Sequence, residues 1–380
     1  MPKTSDAGDV GAKKSEKLDD GIALCLSGGG FRATLFNLGT LWRLNELRLL
    51  PALKAITCVS GGSITAGVLA HRWKELVFKN GTASNFEMVV ARPLKDFCAK
   101  RIAVPSALAG ILNPFRTIGD EMSECYEQLF GKSTLQDLPG DGAPLFIFYA
   151  TSLQTGRSVR MTRHYLADYL VGMLPHPDIS LARVVAASSA FPPILSPQVI
   201  KTNPALWVDT EGATLTDEKW RRELVLTDGG AYDNMGLEAV WDRYETVLVS
   251  DAGAPFTFDE DPPADWVRQP IRVMSIMTDQ ARALRKRWLI RDFKSGRQGA
   301  YWGINANIAS YAAPGISPIV FDSDRTQSLA KIRTHLDPFS AEEQGHLINW
   351  GYALTDVALR RWVPTLGAVP GELPIKEFSL

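Results

Sequence analysis

Two short apolar runs, each ending in a glycine-rich turn and followed by a helical pattern, constrain this chain more than any other feature. The first is Ile22-Ala23-Leu24-Cys25-Leu26, leading into Ser27-Gly28-Gly29-Gly30-Phe31-Arg32. The second is Ala55-Ile56-Thr57-Cys58-Val59, leading into Ser60-Gly61-Gly62-Ser63. A run of five apolar residues closed by glycines has strand length, and glycine lets another group approach the backbone closely. A helix opening straight after such a turn aims its free N–H groups at whatever occupies the turn. Two such units about thirty residues apart predict adjacent parallel strands with both turns at one sheet edge.

The rest of the chain extends this pattern. Ala33 to Leu47 and Ser63 to Leu76 read as helices, and Pro51 separates them from each other at the second strand. Residues 80–138 read as a helical insertion broken by Pro93, Pro105 and Pro114, of the kind that forms a cap or lid. Pro144 to Val159 predicts a hairpin turning at Thr155-Gly156. Leu181 to Ala190 is a small-residue helix stopped by Phe191-Pro192-Pro193. Glu223–Leu226, Thr246–Ser250 and Ile271–Ile276 read as strands, and Ser340 with Glu343 forms a capping box for a last helix. Strands interleaved with helices predict α/β architecture, a mostly parallel central sheet flanked by helices. The expected organisation is a disordered polar tail over residues 1–20 and a single domain over 21–380. Residues 251–380 form a C-terminal extension of that domain, packed on the sheet.

Composition narrows the function classes. A net charge of −1 removes the basic excess that nucleic-acid binding needs. The four cysteines, Cys25, Cys58, Cys98 and Cys125, lack CxxC spacing and read as reduced thiols. No stretch reaches about 18 uninterrupted apolar residues, and residues 1–20 lack the apolar core of a signal peptide, which predicts a cytoplasmic protein. With no HExxH, clustered cysteines or calcium-loop spacing, neither a metal nor a cofactor is expected.

Ser60 sits at a strand-to-helix corner, as in the G-x-S-x-G nucleophile elbow, with Cys58 in place of the first glycine. Standing alone, that turn reads as a helix with an N-cap serine. Gly28, Gly29 and Gly30 on the neighbouring turn, with Gly61 beside the serine, offer amides suited to an oxyanion. Arg32 either braces the loop or attracts an anionic head group. Gly28, Gly30 and Ala33 also fit a dinucleotide fingerprint, but Ser60 stands where that fingerprint needs an acid. None of the five histidines lies in a glycine-rich turn after a strand, whereas Asp228, in Asp228-Gly229-Gly230, does. An aspartate there is either a base for the serine or an ordinary Asx-turn residue.

Taken in order, the Ser27–Arg32 loop, Ser60 within Cys58–Gly62, and Asp228-Gly229-Gly230 resemble the patatin-like phospholipase family. Ala187-Ser188-Ser189-Ala190-Phe191-Pro192-Pro193 is similar to that family's small-residue block before a proline. The resemblance runs from about Gly21 to Ser250. It implies a Ser60–Asp228 dyad that hydrolyses lipid or fatty-acyl esters through an acyl-enzyme, without metal, with the Gly28–Gly30 amides on the oxyanion. The same dyad would serve a small-ester esterase or an acyltransferase. A nucleotide-binding or catalytically silent interaction protein is the reading from another class. Arg282, Arg285, Lys286, Arg287, Arg291 and Lys294 lie on a basic helix with Leu284, Trp288 and Leu289. That helix is either a solvated face or a peripheral membrane contact.

Overall fold

The computed structural model describes residues 18–100, 118–193, 195–334, 336–367 and 369–380. The expected tail falls almost wholly outside them, as does the middle of the insertion, and strand β1 already opens at Asp19.

β1 (Asp19–Leu26), α1 (Gly30–Glu46), β2 (Leu53–Val59) and α2 (Gly61–His71) form the two predicted units in succession. A two-residue ribbon, β3 (Phe78–Lys79) with β4 (Thr82–Ala83), follows, then α3 (Arg92–Cys98) and α4 (Ile118–Phe130). The chain returns through β5 (Leu145–Ser152), β6 (Ser158–Met161), β7 (Tyr165–Asp168), β8 (Gly172–Pro175) and α5 (Leu181–Ser188). Next come β9 (Gln198–Lys201), α6 (Glu218–Arg221), β10 (Glu223–Asp228), α7 (Gly230–Asp233) and β11 (Tyr244–Asp251). The long α8 (Arg268–Lys294), β12 (Gln298–Gly303), α9 (Asp324–Leu329) and α10 (Ala341–Trp362) complete the chain.

Among the described residues ten strands make one sheet, in the order β12-β11-β1-β2-β5-β6-β7-β8, with β10 and β9 attached beside β5. The first five are parallel, so the fold is α/β with a mostly parallel centre, and the β5–β8 flank is antiparallel. Both faces are covered, and the side-chain period of two sorts residues between them. Leu24, Leu26, Ile56 and Cys58 face the cluster under α1, α2 and α10. Ala23, Cys25, Ala55 and Val59 face Leu237, Trp241 and Leu289 on the other side. α10 opens with the predicted capping box, Ser340 Oγ accepting from the Glu343 amide at 3.2 Å. It crosses α1 where Gly39 and Gly351 leave room for the opposing carbonyls of Ile348 and Phe36.

One expected strand is corrected. Ile271–Ile276 is helical, the second turn of α8. Its apolar residues alternate locally like a strand, but Val273, Met277, Ala281, Leu284 and Trp288 keep steps of three and four, which only a helix brings onto one side.

Candidate active site

The sheet register explains how Ser60 and Asp228 meet. β2 runs beside β5 as far as the pair Val59↔Tyr149, and there β2 ends. β10 then takes up the same flank of β5 in the opposite direction, with Asp228 opposite Ala150, because β6 occupies the other flank. Two strands that approach head to head along one neighbour therefore deliver Ser60 and Asp228 to a single point.

Ser60 turns the corner with φ 52° and ψ −120°, a positive φ that a non-glycine residue adopts only under constraint. Its side chain makes no N-cap hydrogen bond, so the simple capping role is absent. The constraint is backbone contact between the two turns. A side chain at Gly61 would strike the Gly30 carbonyl, and one at Gly62 would strike the carbonyls of Leu26 and Ser27. A Cβ at Gly28 would lie 2.8 Å from the Ser60 Cβ, so the first loop rests directly on the serine. Cys58, which replaces the elbow's usual glycine, is an ordinary buried strand residue whose thiol lies 3.4 Å from the Ile147 carbonyl. Burial pushes that thiol up to about 12, which keeps it neutral and inert.

Asp228 is 2% exposed, and Ser60 8%. Burial pushes the Asp228 carboxyl up to about 6, while hydrogen bonds from the Gly230 amide and Ser60 pull it part of the way back. The Gly230 amide donates to Asp228 Oδ1 at 2.7 Å. Among the described residues no cation pairs with this carboxylate, and no histidine hydrogen-bonds to it or to Ser60. His71 lies on the last turn of α2 against Phe130, and His346 meets Arg325 at 3.1 Å. His335 lies outside the described residues.

Of the candidate oxyanion donors, the Gly28 amide is already donated to the Asn234 carbonyl at 3.2 Å. The amides of Gly29, Gly30 and Gly61 have no acceptor among the described residues. They open α1 and α2, so both helix N-termini contribute N–H groups at this edge. Arg32 has the bracing role of the two considered. Its buried guanidinium donates to the carbonyls of Ala252 and Ala330 at 2.8 Å and of Ile332 at 2.9 Å, tying the glycine loop to distant segments. Among the described residues no group of His, Cys, Asp or Glu is gathered to hold a metal ion.

Sequence reasoning missed the residues that hold this arrangement. Ser188, in the small-residue block, accepts the Ser60 amide on its hydroxyl at 3.0 Å and bonds Ser63 Oγ at 2.7 Å. The Ser188 carbonyl receives the Gly229 amide and the Ala190 carbonyl the Asp228 amide, at 3.3 and 2.9 Å. One segment thus fixes both turns. Its composition was visible, but its partners lie 128 and about 40 residues away in sequence. The hydroxyls of Tyr126 and Ser189 are buried nearby beside each other, with no further partner among the described residues, and the Asp228 charge acts on the Tyr126 phenol.

The family model for patatin-like phospholipase matches residues 24–241. Among solved structures, human GIVD cytosolic phospholipase A2 aligns with a TM-score of 0.54 at 12% identity, covering 91% of this chain and 60% of that one. VipD from Legionella pneumophila aligns with a TM-score of 0.37 at 14% identity, covering 92% of this chain and 70% of that one. The chain therefore spans less than two thirds of the human protein, and at such identity the likeness concerns the fold. No curated protein sequence matches the chain.

Proposed function

The chain belongs to the patatin-like phospholipase family, and from that premise we propose that it is a serine-dependent lipid acyl hydrolase working through Ser60 and Asp228. The observation that carries the proposal is their meeting at the end of β2 and β10, with the serine strained and the carboxylate buried without a cation among the described residues.

In this reading the Asp228 carboxylate takes the Ser60 proton as Oγ attacks the ester carbonyl. The carbonyl π-electrons move onto oxygen, where the amides of Gly29, Gly30 and Gly61 stabilise the charge. Collapse of the tetrahedral intermediate breaks the bond to the alcohol, which leaves with the proton held by Asp228. A water then gives its proton to Asp228 and attacks the acyl-enzyme. Collapse returns the proton to Ser60 and frees the fatty acid. A carboxyl pushed up to about 6 is a stronger base than an exposed one, yet is ionised near neutrality.

The test is a lipid-class activity screen of the wild type beside Ser60→Ala, with fluorophosphonate labelling of both. The expected result is labelling and fatty-acid release by the wild type only. Labelling that survives in Ser60→Ala and disappears in Ser63→Ala overturns the assignment. Turnover of soluble short-chain esters with none of lipids identifies an esterase instead.

A further inference from the structure

α8 stands apart from every other long helix in the molecule. Over 27 residues only Leu289 is fully buried. Its inward side is fixed by Leu289, by Lys286 over the Tyr301 ring at 4.5 Å, and by Arg282 donating to the Ala254 carbonyl at 2.7 Å. Arg285 reaches Asp233 at 3.6 Å, which anchors the helix beside the turn that carries Asp228. Opposite that anchored side, at 100° per residue, lie Val273, Met277 and Leu284, whereas Trp288 packs on the buried Trp241 ring at 4.4 Å. The three are 45%, 66% and 59% exposed. Trp266, just before the helix, is 85% exposed. An ordinary surface helix turns its apolar residues inward, as α8 does with Trp288, Leu289, Ile290 and Phe293, but α8 also presents a second apolar set outward.

Charge identifies the occupant. α8 carries eight basic residues against two acidic ones. Lys286, Arg287, Arg291 and Lys294 line a shallow groove with Ile290 at its C-terminal half. The acidic run Asp259–Asp261 lies on the preceding loop, outside that groove, and Asp265 is spent on Arg268 at 2.5 Å. A second copy packed face to face would bring like charges together. An outward apolar stripe preceded by the exposed Trp266 and flanked by a basic groove fits an anionic bilayer instead, the stripe entering the interface and the groove taking phosphate head groups. Among the described residues no helix is long and apolar enough to cross a membrane, so the contact is peripheral.

We infer that α8 is the bilayer-docking surface of this protein, with Val273, Met277 and Leu284 inserting among anionic phospholipids. The inference extends the lipid-hydrolase reading but is tested apart from it, in the Ser60→Ala protein, which leaves vesicles intact. Co-sedimentation would use vesicles of phosphatidylcholine alone and of phosphatidylcholine mixed with phosphatidylglycerol. The expected result is binding to the mixed vesicles, weakened by salt, with a blue shift of tryptophan emission. Met277→Asp with Leu284→Asp should lower that binding at least about tenfold, because partitioning follows the apolar area buried. Both side chains are exposed, so circular dichroism should stay unchanged. In the Ser60-bearing protein, turnover of a monomeric soluble ester should also stay unchanged. Arg287→Gln with Arg291→Gln should lower binding to the mixed vesicles only.

Absence of binding to the mixed vesicles, or equal binding after the Met277/Leu284 substitution, overturns the inference. So does a dimer in solution that the same substitution dissociates, since a second copy then covers the stripe. Vesicle binding that responds as expected in a protein without any esterase turnover supports the docking surface and sinks the hydrolase reading alone.

Discussion

Asp228 at the end of β10 and Asp356 on α10 are both buried carboxylates, and their surroundings are opposite. Asp356 accepts from Arg43 Nε at 2.9 Å, from Arg360 Nη2 at 2.6 Å and from the Gly371 amide at 3.0 Å. Asp228 accepts from one amide, faces Ser60 and has no cation among the described residues. Taking a carboxylate out of water disfavours its charged form unless partners compensate. The compensated one fastens α10 to α1 and to the segment that carries Gly371. The uncompensated one keeps a raised affinity for protons, which a catalytic base uses and a structural residue does not need. Burial alone therefore does not separate framework from chemistry; the balance of partners does.

The largest expected effect tests the uncompensated side. Asp228→Asn keeps the shape and the Gly230 contact but cannot accept the Ser60 proton. Turnover should fall about a hundred- to ten-thousand-fold, the range for a positioned base. On the proposed mechanism the active form is the ionised one, so turnover should rise with pH through about 6. A profile flat across that region, or wild-type turnover in the variant, breaks the comparison.

Asp356→Ala probes the compensated side. Removing the carboxylate leaves Arg360 without an acid among the described residues and Arg43 with only Glu46, at 3.2 Å, the two arginines being 7% and 4% exposed. The expected cost is about 3–5 kcal/mol in urea unfolding at neutral pH. Stability within about 1 kcal/mol of wild type would mean the two arginines find other partners, and the contrast with Asp228 would weaken.

The same contrast predicts a stability change of opposite sign at Asp228. Its carboxyl binds a proton more readily in the folded than in the unfolded chain, moving from 3.8 to about 6. The folded protein is thus favoured below pH 4 and loses that advantage as pH rises through 6. Asn carries no such charge, so Asp228→Asn should be the more stable protein at neutral pH, by at most about 3 kcal/mol. The gap should close as pH falls towards 4. Equal stability across that range would remove the strain attributed to the site.

These two carboxylates also mark how far the sequence could be read. Ser60, Asp228 and the Gly28–Gly30 loop were legible because each rests on a local rule, an apolar run delivering a small-residue turn. The parallel pairing of β1 and β2 followed from their spacing. The Asp356 cluster was illegible because Arg43 lies 313 residues away, and no local pattern links them. The antiparallel approach of β10, which brings Asp228 to Ser60, is likewise set by pairing with β5 and not by its own three apolar positions. α8 was half read. Its basic C-terminal part showed helical spacing, while Ile271–Ile276 imitated a strand because a helix exposed on most sides needs no single clean apolar face.

The smallest effects distinguish satisfied from poorly satisfied hydroxyls near the sheet centre. Tyr149, fully buried on β5, accepts the Ala239 amide on its hydroxyl at 2.6 Å. Tyr149→Phe strands that amide, at a cost of about 1–3 kcal/mol, the penalty for an unpaired buried donor. Tyr126, fully buried on α4, has only the Ser189 hydroxyl beside its own among the described residues. Tyr126→Phe removes a desolvated group with one weak partner, so thermal unfolding should shift by no more than about 1 kcal/mol in either direction. The Asp228 charge, one cause of the raised Tyr126 phenol, still finds the phenol neutral at every pH of interest. Removing it should therefore leave the pH midpoint of turnover in place. A turnover loss above about tenfold in a Tyr126→Phe protein of unchanged stability would give the hydroxyl a partner that appears only with substrate. Tyr126 would then join Asp228 as a polar group left without full compensation in the resting fold and completed by the reaction.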